Sequence, residues 1–178
     1  MHSDLFPQYA NNLDELPSGG KELDLYKRAA TELFYISHPD IKKGNVEEDV
    51  IDQWTKKEGV DAVWVFLPWK NLKIRIPSED WFFTLRTARN RNIISPKEQM
   101  NYRNLTLGIV GLSIGSAALT SLVYSGGPKN IKLADYDEIE FSNLNRMMAG
   151  IHDVGKNKSV VCAQRSWEID PYLNLDIW

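Results

Sequence analysis

The chain has 178 residues, 43% of them hydrophobic and 25% charged, with a formal net charge of −3. That is the composition of an ordinary globular protein with room for one domain and part of another. It lacks the basic surplus of a general nucleic-acid binder, and its single cysteine, Cys162, excludes an internal disulfide and a CxxC-type zinc site.

The first twenty residues are polar and carry Pro7, Pro17, Gly19 and Gly20, which reads as a flexible lead-in over 1–20. They hold no apolar core behind a basic start, so no signal peptide is read there. No apolar run approaches the roughly 20 residues of a membrane span. A reducing, cytoplasmic setting without membrane or nucleic-acid partners is expected.

From Lys21 to Ser37 the spacing of Leu23, Tyr26, Ala30, Leu33 and Phe34 predicts a helix. His38-Pro39 ends it, because a residue before proline avoids helical angles. A second helix is expected over Val46–Lys57, closed by Gly59. The period then changes to two. Residues 62–69 and 71–77 predict two antiparallel strands, with Leu72, Ile74 and Ile76 inward and Lys73 and Arg75 outward. Ser78 is placed to cap a third helix that begins with Glu79 and Asp80. Residues 21–90 therefore read as a small α+β N-terminal unit.

Charge is uneven along the chain. Residues 86–105 hold Arg86, Arg89, Arg91, Lys97 and Arg103 against one acid, Glu98. The part from 91 to 105 reads as a basic connecting segment. It suits either an anion or plain solvent.

Residues 106–178 have another rhythm: a short apolar run ending in glycine, a helix, the strand NIKLAD, a polar loop, a helix over about Asn157–Glu168, and the strand LNLDIW. This β-α-β-α-β start predicts an α/β, Rossmann-like parallel sheet with right-handed crossovers.

Three features of this half carry chemistry. The turn after the first strand is GLSIGS, Gly111–Ser116, with Gly111, Ser113 and Gly115 as candidates to approach phosphate oxygens at a helix N-terminus. Asp135 ends the second strand, 24 residues after Gly111. An acid there accepts from the two ribose hydroxyls of a bound nucleotide. Asp137 follows it as a second, more ambiguous acid. Beyond them, Asn143, Arg146 and Lys158 offer an amide and two cations to an anion. Such donors stabilise charge that builds up in phosphoryl or acyl displacement. The glycine turn and Asp135 alone suit an NAD- or FAD-binding oxidoreductase equally well.

The run GLSIGS…LADYDEIEFSNLNR…DVGKNK…EIDPYLNLDI closely resembles the adenylation domain of the ThiF, MoeB, HesA and ubiquitin-activating enzyme superfamily. It is most similar to bacterial ThiF-type proteins that are often fused to a nitroreductase-like domain. Residues 106–178 then correspond to the N-terminal half of a ThiF-type nucleotide-binding domain. The resemblance implies binding of ATP and Mg. It also implies adenylation of a carboxylate, from a ubiquitin-like protein C-terminus or a small acid, in a homodimer. Carried over, Asp135 holds the ribose. Asn143, Arg146 and Lys158 contact the phosphates, with Gly111 and Gly115 in the phosphate-side loop. RTARN resembles an arginine motif that reaches the phosphates, with Arg89 as the match and Arg86 or Arg91 as alternatives.

Two departures accompany the resemblance. The glycine loop is shorter than G-x-G-x-x-G, with Ser113 where a glycine is expected. The chain also ends at Trp178, before the family's magnesium-binding aspartate and thioester cysteine. The expectation is the N-terminal part of a larger enzyme, inactive alone. A non-catalytic interaction module that keeps the fold is the other reading these departures leave. Cys162 is expected in the core.

Overall fold

The computed structural model describes residues 3–178. They divide into two compact units, one ending at Arg89 and one beginning at Asn90.

The first unit contains β1 (Gln8–Ala10), β2 (Lys21–Asp24), α1 (Tyr26–Ser37), α2 (Glu48–Glu58), β3 (Ala62–Leu67), β4 (Leu72–Pro77) and α3 (Glu79–Thr87). Its sheet has the order β1-β3-β4-β2. β3 pairs antiparallel with β4 and with β1, while β2 runs parallel to β4. The antiparallel pair is the hairpin read from the alternation at 62–77. Gly59 closes α2 at φ 67°, as its position after Lys57 and Glu58 predicts. Ser78 stands at the start of α3 but makes no side-chain cap; its N–H donates to the Asp61 carbonyl instead.

Three expectations change here. The lead-in supplies β1, and Leu16 packs with Ala10 and Phe66 in one buried cluster. The helix expected from Lys21 begins at Tyr26. Lys21–Asp24 is a strand because its acids meet cations across the sheet: Glu22 stands opposite Lys73 and Asp24 opposite Arg75, with N–O distances of 3.5 and 3.1 Å. Asp24 then accepts the Tyr26 N–H and turns the chain into α1. Lys73, expected outward, is only 3% exposed, since it shares its face with Phe66.

The second unit contains α4 (Pro96–Arg103), β5 (Thr106–Val110), α5 (Leu112–Tyr124), β6 (Asn130–Ala134), α6 (Lys158–Ile169) and β7 (Asn174–Ile177). All three strands are parallel, in the order β5-β6-β7. This is the expected Rossmann-like start. Its core is built from Leu119, Ile131, Leu133, Val161, Ala163 and Trp167, each at most 2% exposed. Cys162 is buried as expected. β5 lies at the sheet edge, and Val110 is 86% exposed.

The basic segment is more than a connector. Ser95 and Glu98 form a capping box that opens α4. Gln99 is buried and donates to the Ser125 and Gly126 carbonyls, which fixes the end of α5. Arg103, also buried, reaches Asp170 at 3.5 Å beyond the end of α6. Among the described residues no helix is long and apolar enough to cross a membrane.

Candidate functional site

The site lies at the C-terminal end of the parallel strands, where an open α/β sheet places ligands. Three segments meet there: the start of α5, the loop after β6, and the turn before α6.

The turn from β5 into α5 is a single residue. Gly111 has φ 83°, donates its N–H to the Ala134 carbonyl, and is followed at once by helix. The expected loop Gly111–Ser116 therefore shrinks to Gly111, and Ser113 and Gly115 belong to the first turn of α5. The cause at Gly115 is packing. A Cβ there would stand 2.8 Å from the Ile109 Cγ2, so the glycine lets α5 lie close on β5.

Asp135 organises this corner. Its Oδ2 accepts the Leu112 N–H at 2.6 Å, and its Oδ1 accepts the Asp137 N–H at 2.9 Å. Its carbonyl accepts from Asn157 Nδ2 and Ser159 Oγ, both at 3.0 Å, which ties β6 to the start of α6. Each carboxylate oxygen keeps a second lone pair for a ligand. The Leu112 N–H is thus taken, and the Gly115 N–H closes onto Gly111. The next N–H groups of the first turn, on Ser113 and Ile114, have no acceptor within the helix.

Beside it is a cavity of about 640 Å³. Ser113, Asp137, Asn143, Arg146 and Lys158 all line it, together with Phe141. Lys158 is only 4% exposed, and its Nζ donates to Asp137 Oδ2 at 2.8 Å. Arg146 donates through Nη1 to the Ser142 carbonyl at 3.1 Å and to Asn145 Oδ1 at 3.0 Å. Its Nη2 stands 3.5 Å from Ser113 Oγ. Asn143 is buried, and its Oδ1 caps the Glu140 N–H at 3.1 Å. That bond shapes the loop that presents Arg146.

The remaining candidates are not among the residues that line the cavity. Gly111 and Asp135 stand at the strand ends and Gly115 in the first turn of α5. Arg89 is an exposed turn residue after α3, in the first unit. Cys162 is buried, and burial pushes its thiol up to about 12, with the Asp135 charge adding to the effect.

One acid went unread in the sequence. Asp153 is 3% exposed and accepts from the Gly150 N–H, Lys156 Nζ and Arg165 Nη2 at 2.9–3.0 Å. Burial works to raise its pKa, but these three donors outweigh burial and hold the carboxyl at about 2. The acid-to-lysine spacing of Asp153 and Lys156 is a visible helical-turn signal. Its link to Arg165 is not.

The cavity is within the usual range for small-molecule sites. Arg146, Lys158 and the start of α5 bring cationic and N–H donors to it, which suits a phosphorylated ligand. Among the described residues no three His, Cys, Asp or Glu side chains are grouped to hold a metal ion.

The ThiF family model matches residues 87–177. A Mycobacterium tuberculosis protein, MT1398, is 40% identical over 114 residues, covering 64% of this chain and 16% of that protein. Ubiquitin-like modifier-activating enzyme 5 of Dictyostelium discoideum is 39% identical over 72 residues, covering 40% of this chain and 19% of the enzyme. Among solved structures, the E. coli tRNA N6-threonylcarbamoyladenosine dehydratase TcdA superposes with a TM-score of 0.52 at 26% identity, over 57% of this chain and 41% of that one. TcdA has been crystallised with AMP and with ATP. The chain thus spans well under half the length of each of these relatives.

Proposed function

The chain belongs to the ThiF family, and from that premise we propose that its second unit binds ATP and serves, within a longer enzyme, to adenylate a substrate carboxylate. The observation that carries this reading is the pairing of Arg146 and Lys158 on one cavity beside Asp135 and the start of α5. Two cations beside the helix start suit charge that builds up in phosphoryl displacement, whereas a dinucleotide's pyrophosphate rests mainly on the helix N-terminus.

In the proposed reaction, a carboxylate oxygen of the substrate attacks the α-phosphorus of ATP. The new P–O bond forms as the bond to pyrophosphate breaks, and the products are an acyl-adenylate and pyrophosphate. Arg146 and Lys158 supply positive charge where the phosphoryl oxygens gain negative charge. The Arg146 guanidinium offers a planar fork and the Lys158 ammonium a compact charge. Asp135 accepts from the ribose hydroxyls through its spare lone pairs. Asp137 acts on the ligand through Lys158, as its counter-ion. Mg enters this reading only from the family resemblance. It would arrive on the triphosphate and need one or two carboxylates from the protein.

The substrate is proposed to be a peptide or ubiquitin-like C-terminus, or a small acid. A homodimer and a phosphate contact from Arg89 are proposed from the family resemblance, and a cytoplasmic location from the single cysteine of the chain. Titration calorimetry with ATP and with NAD tests the nucleotide reading. Saturable binding of ATP without matching affinity for NAD supports it, and preference for NAD removes it.

A further inference from the structure

Among the described residues, three ion-pair groups outside the phosphate-facing set each hold a buried charge: Lys73 with the exposed Glu22, Arg103 with Asp170, and the cluster around Asp153. Of these three, the cluster around Asp153 adjoins the cavity.

Asp153 joins three pieces of chain. Its Oδ2 closes its own turn by accepting the Gly150 N–H at 3.0 Å, and its Oδ1 accepts from Lys156 at 3.0 Å. Its Oδ2 also accepts from Arg165 Nη2 at 2.9 Å. Arg165 is in turn held by Glu168 at 3.1 Å and lies 3.2 Å from the His152 Nε2. Arg165 and Lys158 are seven residues apart on α6, two turns along the same face. The contact from Asp153 to Arg165 therefore closes the chain from 153 to 165 into a ring. Val154 and Gly155, which line the cavity, and Lys158 all lie inside that ring.

The other margin of the turn is stitched to the loop after β6. Gly155 donates to the Ile139 carbonyl, Ile139 to the Lys156 carbonyl, and Lys158 to the Asp137 carbonyl, at 2.8–2.9 Å. The turn is thereby held on both sides, and the lysine side chain leaves it in one direction.

We infer that Asp153 is a positioning residue for Lys158: by fixing the 150–157 turn to Arg165 it sets where the lysine ammonium stands in the cavity. The inference rests on the nucleotide reading for its consequence, though not for its geometry. A merely stabilising Asp153 would lower the melting temperature and leave the folded site unchanged.

Two readouts separate these cases. The first needs no ligand: acylation of Lys158 by an amine-reactive reagent, followed by mass spectrometry on the folded chain. Lys158 is buried in the wild type and is expected to react slowly. Asp153→Ala is expected to raise its rate several-fold, and Asp153→Asn less, because the amide oxygen still accepts the Gly150 N–H. The second is ATP affinity below the unfolding temperature of every variant. Asp153→Ala is expected to weaken it by about tenfold or more, as displacement of a binding group does. Lys158→Ala should then add little in that background. Arg165→Met tests the same ring and replaces Asp153→Ala if that variant does not fold. Unchanged acylation in a folded ring variant overturns the inference, as does full additivity with Lys158→Ala. If the wild type binds no ATP, the nucleotide reading fails, and the acylation rates still decide the role of Asp153.

Discussion

Lys158 Nζ and Asp137 Oδ2 stand 2.8 Å apart, with the lysine side chain 6% exposed and the aspartate side chain 50% exposed. The cation is buried and its partner faces the cavity. A ligand anion entering there meets a lysine whose charge is already partly matched.

Replacing that partner should therefore help a metal-free anion. Asp137→Asn is expected to tighten binding of inorganic pyrophosphate by roughly fivefold, the worth of about 1 kcal/mol for a half-exposed ion pair. Calorimetry without metal checks it. Weaker binding would mean that Asp137 contacts the ligand itself.

Gly115 gives a prediction against helix propensity. Alanine favours a helix interior over glycine by about 1 kcal/mol. Yet a Cβ at this position meets Ile109 Cγ2 at 2.8 Å. Overpacking of this kind costs about 1–3 kcal/mol. Gly115→Ala is expected to lower stability by about 1 kcal/mol net in chemical denaturation, and a stabilised variant would contradict the packing argument.

The Asp153 carboxyl is held at about 2 against an ordinary value of 3.8. A depressed folded-state pKa stabilises the protein above the unfolded pKa. That contribution is lost as pH falls through the folded pKa. It amounts to about 2 kcal/mol and should disappear between about pH 4 and pH 2. Asp153→Asn should flatten this part of the stability profile, measured by urea unfolding across that range.

Arg103 and Asp170 are 5% and 0% exposed. Removing one member of a buried pair leaves an uncompensated charge and costs about 3–5 kcal/mol. Arg103→Met should show that loss in thermal unfolding. Lys97→Met, at an exposed position of the same basic segment, should change stability by less than about 0.5 kcal/mol.

Much of the second unit was legible in the sequence because its signals are local. The apolar runs at 106–110 and 130–134, the acid at the strand end and the helix start near Asn157 each depend on neighbours within a few residues. Arg146, Lys158, Asn143, Asp137 and Ser113 do line one cavity. What escaped depends on distant partners. Lys21–Asp24 is a strand because Lys73 and Arg75 lie opposite it, and no helical period reveals that. The glycine turn shrank because Ser113 and Gly115 fit a helix once Gly115 packs on Ile109. Asp153 gave no sign of its role because Arg165 meets it only when the turn folds back on α6.

In the proposed reaction Arg146 and Lys158 act on the phosphoryl group together. Exchange of labelled pyrophosphate into ATP, measured on the intact gene product with its carboxylate substrate, reads the step directly. Exchange is expected in the wild type, with a loss of about a hundredfold or more in both Arg146→Ala and Lys158→Ala, as for removal of a charge-stabilising donor. Exchange that survives either substitution at the wild-type rate would contradict that joint action.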